Sequence, residues 1–339
     1  MNETGISVII TAYNRKEFLA NAINSVLRQN IDGVPLEIIV ISNFHVDVPR
    51  FDTNCEIRTF LMDGSIGEFL FTGINMARYD IIAFLDDDDT FNPGKLKMVM
   101  EIFSSNNELC YYHNDVKYVD RAGREIDYVR LVEKRFWASN NRDLIFDIKS
   151  NVKAIKAALE YSGDFNLSSI AIRRNCYINY LPLLKLIKGN TDEFFFWTGI
   201  INMGQLMIDN KKFTSYRVHE MNVSGQLSFM SKFQDLQKQI HTFDLILNFL
   251  SASATPCENT EDVKKWITLL KHEYELMAAI FTNSPKVSIM IQMKGLLSIG
   301  VKYSNTLKYR VLLFSIIAMV NHDFAQNLYS RIVSKNRKT

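Results

Sequence analysis

The 339-residue sequence has only four cysteines, Cys55, Cys110, Cys176 and Cys257, and none of them forms a C-x-x-C pair. That argues against a zinc site or a redox dithiol and predicts reduced, buried thiols. No run of about 18 apolar residues occurs, so a membrane-spanning helix is not expected. The opening "MNETGISVII" has no basic stretch before its apolar residues and passes directly into a strand pattern, so no secretory leader is read there. There is no Gly-rich phosphate loop or dinucleotide motif, and no G-x-S-x-G serine elbow. Basic residues are not interleaved with aromatics on one strand face, so nucleic acid is not expected as a partner. Charge is nearly balanced, 39 Lys and Arg against 37 Asp and Glu, so no polyelectrolyte partner is implied overall.

What is present is an ordinary globular composition, 47% hydrophobic and 22% charged, with enough aromatics to fill a large core. The length suits one large domain plus an appendage, or two domains. The first 90 residues alternate strand and helix signals. "ISVIITAY" and "PLEIIVIS" read as strands buried on both faces, "CEIRTFL" as a weaker third and "DIIAFL" as a fourth. "RKEFLANAINSVLRQN" and "IGEFLFTGINMAR" have apolar residues at helical spacing. "NPGKLKMVMEIFSSN" reads as a further helix, with Pro93 suited to its first turn. This order predicts an α/β fold: an open, mostly parallel sheet with helices on both faces. In such sheets ligands sit beyond the carboxyl ends of the strands.

Further on, Leu109 to Val129 reads as two strands around a turn at Ala122-Gly123, and "VKAIKAALEY" as a helix. "NLSSIAIRR", "QLMIDN" and "KFTSYRVH" read as strands. "NTDEFFFWTGIINMG" reads as a helix ending at Gly204, with Asn190 or Thr191 as its N-cap. After about Met230 the pattern is helical, with the polar "SATPCENTED" as the clearest linker.

The stretch "IIAFLDDDDTFNP", Ile81 to Pro93, is the sharpest signal. Four adjacent aspartates at the end of a buried strand repel one another, by about 4 kcal/mol per pair near a protein surface. A divalent Mg or Mn ion, which prefers oxygen ligands, would remove that cost. A solvated acidic turn is the plainer alternative.

Together, "SVIITAYNRKEFLANAINSVLRQNIDGVPLEIIVIS" and "GINMARYDIIAFLDDDDTFNPGKL" resemble glycosyltransferase family 2, enzymes of the A-type glycosyltransferase fold. The resemblance is strong from about Ile6 to Leu96 and weaker to about Ser224. It implies inverting, metal-assisted transfer of a sugar from a nucleotide-diphosphate sugar to a hydroxyl of a glycan or lipid-linked glycan. The D-x-D motif falls on Asp86 and Asp88, with Asp89 following. Asp88 and Asp89 are expected at the metal and ribose, with Asp86 supporting. Thr11 and Tyr13 match positions beside the base. Ser42-Asn43-Phe44 stands where the family carries two aspartates and a glycine, leaving Asn43 to reach a base edge. Leu70 and Phe71 replace an Arg-Asn pair. These departures support the rival reading of a non-catalytic sugar-nucleotide-binding or scaffold protein. A sugar nucleotidyltransferase would need a Gly-rich basic loop near the first strand, which "TAYNRKEFL" lacks.

Inversion needs a general base for the acceptor hydroxyl. The family's acidic pair matches Asp192 and Glu193 at a helix N-terminus. The following Phe run favours Asp192, whereas Trp197 and Gly204 favour Glu193, and Asp192 is preferred. Trp197 is an acceptor-side candidate. In "SYRVHEMNVSG", Arg217 and His219 share a strand face. Arg217 is a phosphate or acceptor candidate and His219 a metal or phosphate candidate, with Asn114-Asp115 a weaker acceptor-side pair.

From Met277 to Thr339 there are nine Lys or Arg and one acid, Asp323, so the segment is about +8 and the rest of the +2 chain about −6. It contains "YRVLLFSIIAMV", too short to span a bilayer. This segment either lies on an anionic membrane surface or packs as a helical subdomain. The expected division is a catalytic domain over 1–230, with a nucleotide-sugar half over 1–105 and an acceptor half over 106–230. A helical extension over 231–339 follows, on a chain working in the cytoplasm or on the cytosolic membrane face.

Overall fold

The structure is a computed structural model describing residues 5–31, 33–47, 55–127, 144–147, 153–160, 163–202, 204–219, 229–252, 260–282, 285–298, 306–321 and 323–327. In chain order the elements are β1 Ile6–Ala12, α1 Leu19–Leu27, β2 Leu36–Ser42, β3 Glu56–Leu61, α2 Ile66–Met76, β4 Ile81–Asp86, β5 Thr90–Phe91, α3 Lys95–Ser105 and β6 Leu109–Val119. Then come β7 Leu144–Asp147, α4 Lys153–Glu160, β8 Ile170–Arg173, α5 Leu181–Leu184, α6 Thr191–Ile201 and β9 Gln205–Arg217. Helices α7 Phe229–Ala252, α8 Thr260–Phe281, α9 Lys286–Ser298 and α10 Thr306–Val320 complete the chain. It divides into two compact units, Met1–Ile126 with Arg135–Val218, and Asp127–Lys134 with His219–Thr339.

In the first unit the described strands form one sheet, in the order β3-β2-β1-β4-β8-β6-β9-β5, with β7 beside β9. Its first four strands are parallel neighbours. β8 runs antiparallel to β4 and β6, and β6 and β9 pair in parallel. The parallel half follows from the alternating strands and helices, since parallel pairs need crossovers. β1 is buried throughout and has apolar side chains on both faces. Ile6, Val8 and Ile10 join α1 (Leu19, Ala22, Ile23, Val26) and α3 (Leu96, Val99, Phe103) in one core cluster. On the opposite face Ile9 meets Gly73 of α2, where an added Cβ would lie 2.7 Å from Ile9. Phe84 of β4 stacks on Phe195 of α6 at 4.5 Å. Each such buried side chain contributes about 1.5–3 kcal/mol, so both sheet faces are anchored.

Some local readings change. Gly94, at φ 87°, caps α3, so Pro93 precedes the helix instead of occupying its first turn. α6 ends at Ile201 with Asn202 as its cap, before Gly204. "QLMIDN" and "KFTSYRVH" are one continuous strand, β9. The turn at Gly123 forms, but among the described residues it closes only one isolated bridge, Val119 to Glu125, in place of a second strand. Residues 167–169 are a 3-10 turn ahead of β8.

The prediction of reduced thiols fails for two cysteines: Cys110 and Cys176 form a disulfide, with Cα atoms 5.8 Å apart. The antiparallel pairing of β6 with β8 brings together residues 66 positions apart, and nothing in their spacing announces it. Cys55 is a free, half-buried thiol whose pKa burial pushes up to about 11, with Glu37 and Glu56 adding to the shift. Cys257 lies outside the described residues.

The second unit is built on the helices α7 to α10. Phe243 and Ile246 of α7 and Trp266 and Ile267 of α8 are buried, and Phe243 stacks on Tyr274 at 5.7 Å. Among the described residues, no helix is long and apolar enough to cross a membrane.

Candidate active site

The parallel register brings three loops to one end of the sheet. Thr11 lies opposite Ile41 on one side and Asp86 on the other. Its buried Oγ1 donates to Asp86 Oδ1 at 3.4 Å. After β1 the chain turns through Asn14, at φ 56°, a left-handed conformation that asparagine tolerates. The Asn14 N–H donates to Asn43 Oδ1 at 2.9 Å, and Asn43 Nδ2 donates to Asn14 Oδ1 at 2.7 Å. Asn43 thus ties the β1 and β2 loops together. Tyr13 stands beside this pair, 57% exposed, with its ring 6.1 Å from that of Phe69.

The four aspartates coexist because the chain offsets their repulsion in several different ways. Arg15 donates through Nε to Asp87 Oδ1 at 3.0 Å, and its Nη2 pairs with Asp87 and with Asp88 Oδ2, the latter at 2.8 Å. Asp86 has its acid form favoured: burial, then the charges of Asp88, Asp89 and Asp87, hold its pKa well above the usual carboxylate range. Burial and Asp88 likewise raise the pKa of Asp89. Asp89 Oδ1 accepts from the Arg217 backbone N–H at 3.0 Å, whereas its buried Oδ2 has no hydrogen-bond partner. Arg217 donates through Nε to the Asp88 carbonyl at 2.8 Å and through Nη1 to the carbonyls of Asp120 and Arg121 at 3.2 and 2.9 Å. It is 4% exposed, with its guanidinium over Phe18 at 4.6 Å. These bonds make Arg217 a tie that fixes the Asp88–Asp89 backbone.

Two parts of this neighbourhood were not found in sequence. Lys95 is fully buried, and burial lowers its pKa well below the usual lysine value, against the attraction of Asp89. Its Nζ donates to the Ser168 carbonyl and to Thr214 Oγ1, and lies 4.1 Å above the Phe91 ring. In a helical pattern a lysine reads as solvated, so no signal marked it. The second is the 3-10 turn, which the apolar "IAI" directly after it disguised as strand. Ser168 Oγ accepts from the Asp86 N–H at 3.0 Å, and Asn166 at φ 64° accepts through its side chain from Ser168 N–H at 3.2 Å. The Asn166 N–H itself donates to Asp192 Oδ2 at 3.0 Å. One turn therefore touches both the aspartate loop and the predicted base.

Asp192 sits half-buried in the first turn of α6, and its Oδ1 accepts from the Glu193 N–H at 3.1 Å. Burial raises its pKa to about 6, opposed by the hydrogen bonds from Glu193 and Asn166. Glu193 is 4% exposed. α6 is apolar on all sides, and Phe194, Phe195, Phe196 and Trp197 are fully buried. Trp197 packs edge-on against Phe196 at 5.3 Å and presents no surface to an acceptor. Asn114 is buried and donates to Thr214 Oγ1 at 3.0 Å. His219 is half-buried and belongs to the second unit.

Among the described residues no three His, Cys, Asp or Glu side chains converge on one point. A Mg or Mn ion on a nucleotide usually takes one or two carboxylates and completes its shell with phosphate and water. Asp88 and the unpartnered Asp89 Oδ2 match that donor chemistry.

Residues 4–143 match the family model described as "Glycosyltransferase like family 2", the family that the strand and aspartate motifs resemble. An uncharacterized glycosyltransferase of Nostoc sp. is 31% identical over 132 residues, which are 36% of this chain and 39% of that one. The chain thus spans about two fifths of that relative's length. An uncharacterized glycosyltransferase of Haemophilus influenzae is 24% identical over 224 residues, 63% of this chain and 86% of that one. Among solved structures, S. aureus TarS 1-349 in complex with UDP-GlcNAc superposes with a TM-score of 0.51 at 13% identity, over 91% of this chain and 92% of that one. That likeness is one of fold and extends through the helical C-terminal region.

Proposed function

We propose that this chain is an inverting glycosyltransferase that moves a sugar from a nucleotide-diphosphate sugar to a hydroxyl of a glycan or lipid-linked glycan. The observation that carries the reading is the placement of Asp86–Asp89 at the carboxyl end of β4, where Asp86 lies opposite Thr11 of β1, with the raised-pKa carboxyl of Asp192 linked to the same loop through the Asn166–Ser168 turn. In this reading residues 1–105 bind the donor, 106–230 the acceptor, and 231–339 form the helical extension.

Tyr13 stacks on the base, and Thr11 and Asn43 hold the loops that frame it. Asp88 and Asp89 would hold a divalent metal. When bound, the metal offsets the charge of the departing diphosphate. Asp86 supports the loop from the end of β4. Asp192 takes the acceptor hydroxyl's proton as the new glycosidic C–O bond forms. The bond from the anomeric carbon to the diphosphate oxygen breaks, and its electron pair leaves with the nucleoside diphosphate. A carboxyl with pKa about 6 is mostly ionised at neutral pH and is more basic than an ordinary aspartate.

The second reading is a non-catalytic sugar-nucleotide-binding protein. It is favoured by Asn43, whose amide already bonds Asn14 where the family carries carboxylates. Melting the protein with UDP, GDP, CDP and UDP-GlcNAc, with and without Mn²⁺, tests both readings, since a ligand specific to the folded state raises the midpoint. A metal-dependent rise with one nucleotide, together with sugar transfer, supports the transferase. A rise without turnover in any acceptor screen favours the binding protein, and no rise with any nucleotide sinks both.

A further inference from the structure

The helices α9 and α10 of the second unit carry apolar side chains on the wrong side. On α9, Ile289 is buried, and Gln292 Oε1 lies 3.0 Å from His272 Nδ1 of α8. Gly295 also faces that ring, which an added Cβ would meet at 3.0 Å. The face opposite these contacts holds Val287, Met290, Ile291 and Leu297, between 57% and 67% exposed. At about 100° per residue these four positions share an arc of about 120°. α10 is more extreme. Among its described side chains Ser315 and Ala318 are buried, whereas Leu313, Ile316 and Val320 are 58%, 49% and 83% exposed. Stripes of apolar residues at i, i+3, i+4 and i+7 ordinarily face a core, and contiguous exposed ones mark an interaction surface.

We propose that these two stripes are a docking face for an anionic lipid surface. Charge selects this occupant. Lys286 and Lys294 are exposed on α9, and Lys294 falls inside the apolar arc. From residue 277 onward the chain carries nine Lys or Arg against the single Asp323. A second copy seated on the same stripes would set one strongly positive segment against another, whereas acidic headgroups match it. The stripes lie along helices too short and too mixed to cross a bilayer, so the apolar side chains enter only the interface. The inference stands apart from the sugar-transfer reading and needs neither donor nor acceptor.

The test is sedimentation of the full chain with vesicles of phosphatidylcholine alone or mixed with phosphatidylglycerol. Binding is expected to the mixed vesicles, to weaken as salt is raised, and to be far lower on phosphatidylcholine alone. Lys286→Gln and Lys294→Gln should each lower partitioning about fivefold. Ile291→Asp and Leu313→Asp should lower it by about tenfold or more at an unchanged melting midpoint, because both sites are exposed. No binding to the anionic vesicles overturns the proposal, and light scattering then reads whether a second copy covers the face. Binding that neither the Asp nor the Gln substitutions change also overturns it, because contact would then lie elsewhere.

Discussion

Asp192→Asn separates chemistry from stability at a single group. The folded protein holds this carboxyl at a pKa of about 6, against an ordinary 3.8. A gap of about two pKa units corresponds to about 3 kcal/mol, reduced toward about 2 because the carboxylate keeps some solvent contact. The folded state binds the proton more tightly, so the stabilisation from this group is complete below about pH 4. It is lost as pH rises through about 6. Asparagine carries no charge and lacks this pH-dependent term. It keeps an acceptor for only one of the two N–H groups that Asp192 serves, from Asn166 and Glu193. Leaving the other N–H against an amide costs about 1 kcal/mol. The variant should therefore be less stable than the parent by about 1 kcal/mol at pH 4 and more stable by about 1–2 kcal/mol at pH 8. Turnover should fall by about 10²–10⁴ at pH 8, where the parent's base is ionised. The parent's kcat/KM should drop about tenfold per pH unit below 6 as the base is protonated. The assay is urea unfolding at both pH values beside a transfer assay. A variant equally destabilised at pH 4 and pH 8 would refute the raised pKa, and retained turnover would refute the base.

Arg15→Gln leaves Asp87 and Asp88 without their shared cation and should cost about 3 kcal/mol at neutral pH. Mn²⁺ should restore more of the lost melting temperature than it adds to the parent, and an unchanged midpoint without metal would refute the pairing. Gly67→Ala would drive a Cβ into the Leu184 and Ile187 carbonyls. Urea unfolding should show a loss of about 1–3 kcal/mol, and a neutral result would mean that α2 and α5 can separate at no cost. Cys176→Ser removes a cross-link spanning 66 residues, worth about 4 kcal/mol by loop entropy. A reducing agent should lower the parent's unfolding midpoint to match, and a parent insensitive to reduction would argue against the bond.

The sheet and its crossover helices were legible because each signal lies within about ten residues of chain. The continuous apolar runs of β1, β2 and β4 are what burial on two faces requires, and the 3.6-residue spacing of α1 and α2 gives their inward faces. Legibility ended where partners meet from distant positions. Asn43 could be named but not its bond to Asn14, because that depends on both loops leaving parallel strands at one level. Trp197 read as an acceptor-side aromatic, since nothing in "FFFW" tells that every side of α6 is covered. Lys95 and the Asn166–Ser168 turn had no signal of their own type, for a lysine and a Ser-Ser pair are ordinary surface residues until tertiary contacts bury them.

The aspartate loop shows why that hidden part matters most for chemistry. Left bare, four carboxylates at a strand end would cost more than a loop can repay, and an external ion is one remedy. The protein supplies others from its own chain: Arg15 from the β1 loop, the Arg217 backbone and side chain from β9, and Ser168 from the 3-10 turn. These groups lie between 72 and 129 positions from the aspartates they serve. The loop is therefore shaped before any ligand arrives, and shaped unequally. Arg15 answers two of the carboxylates, burial favours the acid form of Asp86, and Asp89 keeps one oxygen without a partner. An acidic turn that only faced solvent would need none of this, because separated, hydrated side chains would relieve the repulsion at lower cost. Burying a carboxylate with an unmet acceptor is unfavourable for the isolated protein. It becomes favourable when a cation, or a donor group on a ligand, reaches Asp89 Oδ2. On the donor-site reading proposed above, a cation at that atom should tighten the loop that Arg217 and Ser168 already hold in place.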